Sequence, residues 1–315
     1  MAMDKIDLQQ DNKMLSVVIP AYNEEGMILK TAETLKALMN DAGIIYELIF
    51  VNDGSSDLTQ ERIEEASEKD QSVRYVCFSR NFGKEAAIFA GLGAAKGGCA
   101  AVMDCDLQHP PEVLIEMYRL WEEGYEIVEG VKKIRGRESI FHKFSAGLFY
   151  GIMSKATKID MYRASDFKLL DRRAVDALLM FPEYHVFFRA LSSWIGYKKT
   201  SVEFDVRDRE VGSSKWSTSA LFKYAVNNIV EYSAVPLHLI TGIGVVSLIF
   251  AFALGIQTLV RYFCGTAAEG FTTVILLQLF SASVIMIGIG IVGLYLAKIY
   301  DEVKRRPRYI IAKMK

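Results

Sequence analysis

Glycine-rich phosphate loops are missing from this chain. No G-x-G-x-x-G follows the first apolar run and no Walker A sequence occurs, which excludes a nicotinamide-type Rossmann phosphate site and a P-loop. Cysteine is sparse. Cys77, Cys99, Cys105 and Cys264 have neither metal-ligand spacing nor the pattern of a disulfide framework, and three of them fall in or beside apolar runs where a free thiol packs as a small hydrophobe. A reducing cytosol is the expected setting of the main domain. An excess of positive charge is also lacking: the net charge of -1 gives no broad basic field, so no nucleic-acid partner is expected. Met1 to Lys13 is polar without an apolar stretch, so no secretory signal is expected.

What the 315 residues do contain is apolar surplus. They are 51% hydrophobic with a mean hydropathy of +0.17, and the excess lies in the last quarter. The length fits two domains, or one domain with an appendage. Leu15–Pro20, Tyr46–Val51, Val73–Ser79 and Cys99–Asp106 read as strands. Apolar residues at helical spacing (Ile28, Leu29, Leu35, Leu38, Met39), a polar helix near Thr59–Lys69 and an Ala/Gly-rich helix to about Lys96 separate them. Strand, loop and helix repeated in this way predict a doubly wound, mostly parallel α/β sheet. The loops after its strands then share one edge.

On that edge stands Asp104-Cys105-Asp106-Leu107-Gln108-His109-Pro110-Pro111-Glu112. Pro110-Pro111 ends extended structure and can open a helix. On an extended backbone i and i+2 side chains point the same way, so Asp104 and Asp106 could share one hard cation. Mg2+ or Mn2+, completed by diphosphate oxygens and water, suits such ligands better than zinc. Asp53, at the end of the second strand, could accept from a nucleobase N–H, or stabilise its own turn.

Val18-Ile19-Pro20-Ala21-Tyr22-Asn23-Glu24-Glu25, Val51-Asn52-Asp53-Gly54-Ser55-Ser56-Asp57, Asn81-Phe82-Gly83-Lys84 and Asp104 to Pro111 together resemble the family-2 glycosyltransferases of GT-A fold, over roughly residues 15–235. The branch most similar is the polyprenyl-phosphate sugar transferases, which include dolichyl-phosphate mannose synthase and the bactoprenol glucosyltransferases. The resemblance implies that Pro20, Tyr22, Glu24, Asp53 and Lys84 border the nucleotide-sugar donor. It implies that Asp104, Asp106 and Gln108 surround the metal and the sugar diphosphate. Lys132 and Arg135 are implied at the acceptor phosphate, and Lys at 132 replaces the Arg that relatives commonly carry, exchanging a bidentate fork for a point charge. Asp166 is implied on the sugar side. Arg209, Ser214 and Lys215 resemble the branch's Arg-x-x-Gly-x-Ser-Lys segment, where donors can stabilise charge on a departing diphosphate. Gln-x-x-Arg-Trp, which processive synthases of the family carry, is absent, in keeping with single transfer.

The runs 236–260 and 272–297 carry no charge, and each exceeds the roughly 20 residues that cross hydrocarbon. Lys298, Lys304, Arg305, Arg306, Arg308, Lys313 and Lys315 follow them. By the positive-inside rule the tail 299–315 and the catalytic domain are cytoplasmic, with the spans as a hairpin within 236–298 of a multi-pass plasma-membrane protein. Gly242, Gly244, Gly288, Gly290 and Gly293 would allow close helix packing. An apolar stripe (Phe141, Phe144, Leu148, Phe149, Ile152, Met153) and a second at Ser217–Val230 fit interfacial helices, although a core helix explains the first equally well. Residues 1–14 are expected as a polar tail. Relatives form homotetramers through the C-terminal end, which implies a homo-oligomer.

The expected activity is inverting transfer of a sugar to the phosphate of a polyprenyl phosphate at the lipid bilayer, for cell-envelope glycosylation. UDP-glucose or a UDP-N-acetylhexosamine is preferred as donor over GDP-mannose. A phosphate acceptor is already an anion and needs no strong base, which favours a positioning role for Asp166. Two alternatives stay open: a membrane glycosyltransferase with a hydroxyl acceptor such as a glycolipid, which needs a general base, and a non-catalytic sugar-nucleotide-binding membrane scaffold.

Overall fold

The computed structural model describes residues 13–133, 165–184, 186–205, 235–265 and 270–315. Both stripes expected as interfacial helices lie outside those residues. The chain divides into two units. The first is built on β1 (Leu15–Ala21), α1 (Ile28–Asp41), β2 (Tyr46–Asn52), α2 (Thr59–Lys69), β3 (Val73–Phe78), α3 (Lys84–Ala94), β4 (Cys99–Val102) and α4 (Glu112–Glu122). It continues through β5 (Ile127–Lys132), β6 (Lys168–Asp171), α5 (Arg172–Leu179), α6 (Phe188–Trp194) and β7 (Lys199–Phe204). The second unit contains α7 (Val235–Phe263) and α8 (Phe271–Val303), after which β8 (Ile311–Met314) belongs again to the first.

Eight strands form one sheet in the order β7-β5-β6-β4-β1-β2-β3-β8. The pairs β1–β2, β1–β4, β2–β3 and β5–β7 are parallel, whereas β6 runs against both β4 and β5, and β8 runs against β3. Strands of a sheet covered on both faces read as continuous apolar runs, and β1 shows why. Val17 and Ile19 pack on one face with Ile28, Leu35, Ile63 and Met117 of α1, α2 and α4. Val18 packs on the other with Ile88, Phe89, Val175 and Phe188 of α3, α5 and α6. The Ala/Gly composition of α3 lets it lie against the sheet: a Cβ on Gly91 would stand 2.2 Å from Cγ1 of Val18.

Two expectations change. The strand before the paired aspartates ends at Val102 rather than running to Asp106. Met103 N–H still reaches Val18 O at 3.0 Å, but Cys105-Asp106 is a turn and Leu107 has φ 55°. The buried Cys105 side chain and a bond from Thr31 Oγ1 to Cys105 O, 2.7 Å, draw the backbone inward. Strand alternation therefore does not align Asp104 with Asp106. The basic tail is also more than a tail. Lys313 pairs with Cys77 and Ile311 with Phe78, Tyr309 stacks on Phe78 at 5.0 Å, and Lys313 meets Glu64 at 2.7 Å. β8 closes the β3 edge of its own sheet, which limits the pairing an open edge invites.

In the second unit, α7 and α8 hold segments long and apolar enough to cross a membrane, Pro236–Phe263 and Leu277–Val303. Phe250, Phe252, Ile287 and Ile289 are among their many exposed side chains. Of the glycines expected to allow close packing, Gly288 alone meets a neighbour, with its virtual Cβ 3.4 Å from Ile240, while Gly242, Gly244, Gly290 and Gly293 face open space.

Lys168 is fully buried on β6 opposite its register partner Glu129 on β5. Its ammonium donates to Glu129 Oε1 and to Ser192 Oγ, both at 2.7 Å. Removing one partner of a buried pair strands a charge, whereas removing both does not. Lys168→Met is therefore expected to cost about 3–5 kcal/mol, with much of it recovered in Lys168→Met/Glu129→Leu. Thermal and denaturant unfolding of the purified variants checks this, and equal losses in single and double variants would contradict it.

Candidate functional site

Four loops leave the C-terminal ends of β1 to β4, and the first three are locked to one another by side chains that bond backbone. Asn23 N–H donates to Ser55 Oγ at 2.9 Å and Asn23 Oδ1 accepts from Ser56 N–H at 2.9 Å. Glu24 N–H donates to Thr59 Oγ1 at 2.8 Å. Gly54, with φ +66°, touches the third loop so closely that a Cβ would fall 2.2 Å from the carbonyl carbon of Arg80. Asp53 is 3% exposed and spends its carboxylate on that same loop, accepting from Phe82 N–H at 2.7 Å and Gly83 N–H at 3.0 Å. Burial raises its pKa, and the two amide bonds oppose the rise. The residue expected at a nucleobase thus clamps the loop that carries Lys84, the first residue of α3.

Lys84 is where the motifs meet. Its ammonium lies 2.6 Å from Asp104 Oδ1 and 3.1 Å from Asp166 Oδ2, joining residues 62 positions apart in sequence (166 − 104). Asp166 is 6% exposed and is gripped on both oxygens by Arg189, at 2.7 Å from Nε and 2.8 Å from Nη2. Burial alone would raise the pKa of both carboxyls. The Lys84 ammonium outweighs it at Asp104, and Lys84 with Arg189 outweighs it at Asp166, so both are held below the usual range. For Lys84 burial acts downward, and Asp104 and Asp166 together hold it above its ordinary value. Both carboxylates are ionised and engaged.

Asp106 is buried and caps its own turn, accepting from Gln108 N–H at 3.1 Å. Gln108 and Pro20 are half-buried, Glu24 likewise, and Tyr22 is exposed. His109 is buried, stacked on Phe167 with ring centroids 4.8 Å apart and edge-on to Phe204 at 5.5 Å. Burial pushes its pKa down, and its Nδ1 has no hydrogen-bond partner among the described residues. Lys132, at the end of β5, is exposed. Arg135, Arg209, Ser214 and Lys215 lie outside the described residues.

Among the described residues no group of three or more His, Cys, Asp and Glu could hold a metal. The donor set nevertheless fits a hard cation that keeps water or substrate oxygens. Asp104 offers a carboxylate on which a cation, the Lys84 ammonium, already sits, and Mg2+ and Mn2+ favour one or two carboxylates plus phosphate. Arg189 and Glu85 carried no signal in the sequence: neither stands in a local pattern with the aspartates. Lys168 had one, a lone lysine in an apolar strand two residues after Asp166.

The chain matches glycosyl transferase family 2 over residues 16–179. It is 38% identical over 300 residues to a protein described as the uncharacterized glycosyltransferase YkcC of Bacillus subtilis (strain 168), covering 95% of this chain and 93% of that one. It is 34% identical over 305 residues to the SfII prophage-derived bactoprenol glucosyl transferase of Shigella flexneri, covering 95% and 97%. Among solved structures, glucosyl-3-phosphoglycerate synthase from Mycobacterium tuberculosis, in complex with Mg2+ and UDP, superposes with a TM-score of 0.54 at 18% identity. That likeness covers 73% of this chain and 83% of the other, and it shows a shared GT-A fold.

Glu85, next to Lys84, accepts from Phe188 N–H at 2.9 Å. Burial first, then the charge of Asp166, pushes its pKa from 4.5 up to about 7. In that window the folded chain holds a proton that the unfolded chain has lost, so stability falls as pH rises from about 4.5 through 7. Glu85→Gln keeps an acceptor for Phe188 and removes the titration. Its melting temperature is expected to exceed the wild type's at about pH 8 and to vary less between about pH 5 and 8. Parallel melting curves would contradict the assignment.

Proposed function

We propose that this chain, which belongs to glycosyl transferase family 2, transfers a hexosyl group from a nucleotide sugar to the phosphate of a polyprenyl phosphate. The observation that carries this reading is the state of Asp166. A hydroxyl acceptor needs a base to take its proton, but Asp166 is locked to Arg189 and Lys84 and holds its proton only weakly. A lipid phosphate is already an anion and asks for no such base. The bactoprenol glucosyl transferase that resembles this chain along nearly its whole length supports the same acceptor and favours glucose as the sugar. UDP-glucose or a UDP-N-acetylhexosamine is preferred to GDP-mannose.

In the reaction a phosphate oxygen of the lipid attacks the anomeric carbon, with inversion, as the nucleoside diphosphate leaves. Asp104 and Asp106, with Gln108 beside them, would hold Mg2+ or Mn2+, whose charge neutralises the departing diphosphate. Pro20, Tyr22 and Glu24 border the nucleotide, and Asp53 sets the loop from which Lys84 reaches the site. Asp166, fixed by Arg189, orients the sugar. Lys132 and Arg135 present the acceptor phosphate, and Arg209, Ser214 and Lys215 meet phosphate charge.

The two long apolar helices cross the membrane as a hairpin in this reading. Two features support it. The chain leaves the catalytic unit before α7 and supplies β8 to the same sheet after α8, which fits an even number of crossings. Lys298, Lys304, Arg305, Arg306 and Arg308 favour a cytoplasmic side for that end by the positive-inside rule. A cytoplasmic catalytic domain meets its nucleotide sugar in the cytosol and its lipid phosphate at the headgroup plane.

Among the described residues, Glu85 is a candidate base for a hydroxyl acceptor, because a carboxyl near 7 suits general-base work. One assay addresses both readings. Purified protein is given undecaprenyl phosphate, Mg2+ or Mn2+, and a panel of UDP- and GDP-sugars, and lipid-linked product is counted. One donor should give metal-dependent product. Asp106→Ala should lower transfer by about 3 kcal/mol or more of transition-state stabilisation, and Glu85→Gln should keep it within about threefold. Near-normal transfer by Asp106→Ala would sink the metal assignment, and absence of transfer to undecaprenyl phosphate beside Glu85-dependent transfer to a hydroxyl-bearing glycolipid added to the same assay would move the acceptor to a hydroxyl.

A further inference from the structure

Lys84 sits on one oxygen of the carboxylate that a divalent cation at Asp104 would share. Its ammonium stands 2.6 Å from Oδ1, and a metal on the same carboxylate would bring two positive centres into near contact. Repulsion between like charges at that range is strong wherever water screens poorly. Asp166 does not depend on Lys84, since Arg189 already meets both of its oxygens. If the ammonium moved away, Asp104 would lose its counter-ion and Asp166 would keep one. The Lys84 side chain is 42% exposed and that of Asp104 31%, so the contact is reached by solvent, and a lysine has a flexible four-carbon stem with which to swing.

We propose that Lys84 is an internal counter-ion that holds Asp104 in the ligand-free enzyme and yields it to the metal only when a nucleoside diphosphate arrives to take up the ammonium. The diphosphate supplies both things the exchange needs: anionic oxygens for Lys84 and further oxygen ligands for the metal. The handover leaves no charge unpaired, because Asp104 receives the metal, Lys84 the diphosphate, and Asp166 retains Arg189. Metal and nucleotide then bind as strongly coupled ligands, and by linkage each raises the affinity of the other by the same factor. A cell's free divalent metal would not load the empty site ahead of the donor. The inference rests on the metal reading of Asp104 and Asp106 given above and adds to it an order of assembly.

The test measures Mn2+ affinity of the full-length detergent-solubilised protein by electron paramagnetic resonance, with and without UDP, then with GDP. In the wild type the nucleotide is expected to tighten Mn2+ binding by about tenfold or more. In Lys84→Met, Mn2+ binding without nucleotide is expected to tighten about tenfold, no comparable gain is expected with nucleotide bound, and the coupling shrinks accordingly. Lys84→Gln should repeat this if the apolar substitution disturbs folding, and Lys84→Arg should retain the wild-type pattern. An unchanged nucleotide-free affinity in both neutral variants overturns the proposal. An equal gain with and without nucleotide also overturns it, since that is only a change of local charge. Asp106→Asn separates the two layers of the argument: if it leaves Mn2+ binding with nucleotide untouched, the metal assignment itself is wrong and the handover falls with it.

Discussion

The ion pair between Lys84 and Asp104 is the contact on which the arrangement of this site depends. Asp104, Asp166 and Glu85 bring three carboxyl groups into one partly desolvated region, where the cations beside Asp104 and Asp166 keep those two ionised while Glu85 is pushed up. Each neighbouring element helps to place them. Gly91 lets α3 settle on the sheet, Asp53 pins the two residues before Lys84, and Gly54 allows the second and third loops to touch. On the other side, the buried Lys168–Glu129 pair joins β6 to β5 and reaches Ser192 of α6. That single knot holds both the strand that follows Asp166 and the helix that carries Arg189.

Much of the fold was legible because its cause is local. Apolar runs at Tyr46–Val51, Val73–Ser79 and Cys99–Asp106, each followed by a helical stretch, suffice for a doubly wound sheet, and they put the four loop motifs on one edge. What was not legible has a non-local cause. β6 enters the sheet between β4 and β5 against their direction, and β8 arrives from the far end of the chain to cover β3; no spacing rule connects Cys77 with Lys313. The sequence predicts a strand running to Asp106, yet it ends at Val102, where the buried Cys105 and its carbonyl bond from Thr31 turn the backbone instead of extending it. Within the site, the pairing of Arg189 with Asp166 depends on how α6 packs on the sheet.

The electrostatic arrangement also bears on the choice of acceptor. A carboxylate held between a guanidinium and an ammonium orients well and deprotonates poorly, so it suits a reaction whose nucleophile is already charged. Lys132 is exposed at the end of β5, where the proposed reading puts the acceptor phosphate. The return of the chain to the sheet as β8 after the two apolar helices fits the proposed hairpin, which would keep both flanks of the helices on one side of a bilayer. Site, acceptor and anchoring then describe one reaction at the lipid surface.

The bond formed in the product tests this account most directly. The lipid made from a labelled nucleotide sugar and undecaprenyl phosphate can be examined by phosphorus NMR and by mild acid. The account predicts a phosphodiester resonance coupled to the anomeric proton of the sugar, with release of free sugar under mild acid. Undecaprenyl phosphate recovered as an unmodified monoester, beside an acid-stable sugar on a hydroxyl-bearing glycolipid supplied in the same mixture, would mean that a hydroxyl, not a phosphate, accepts it.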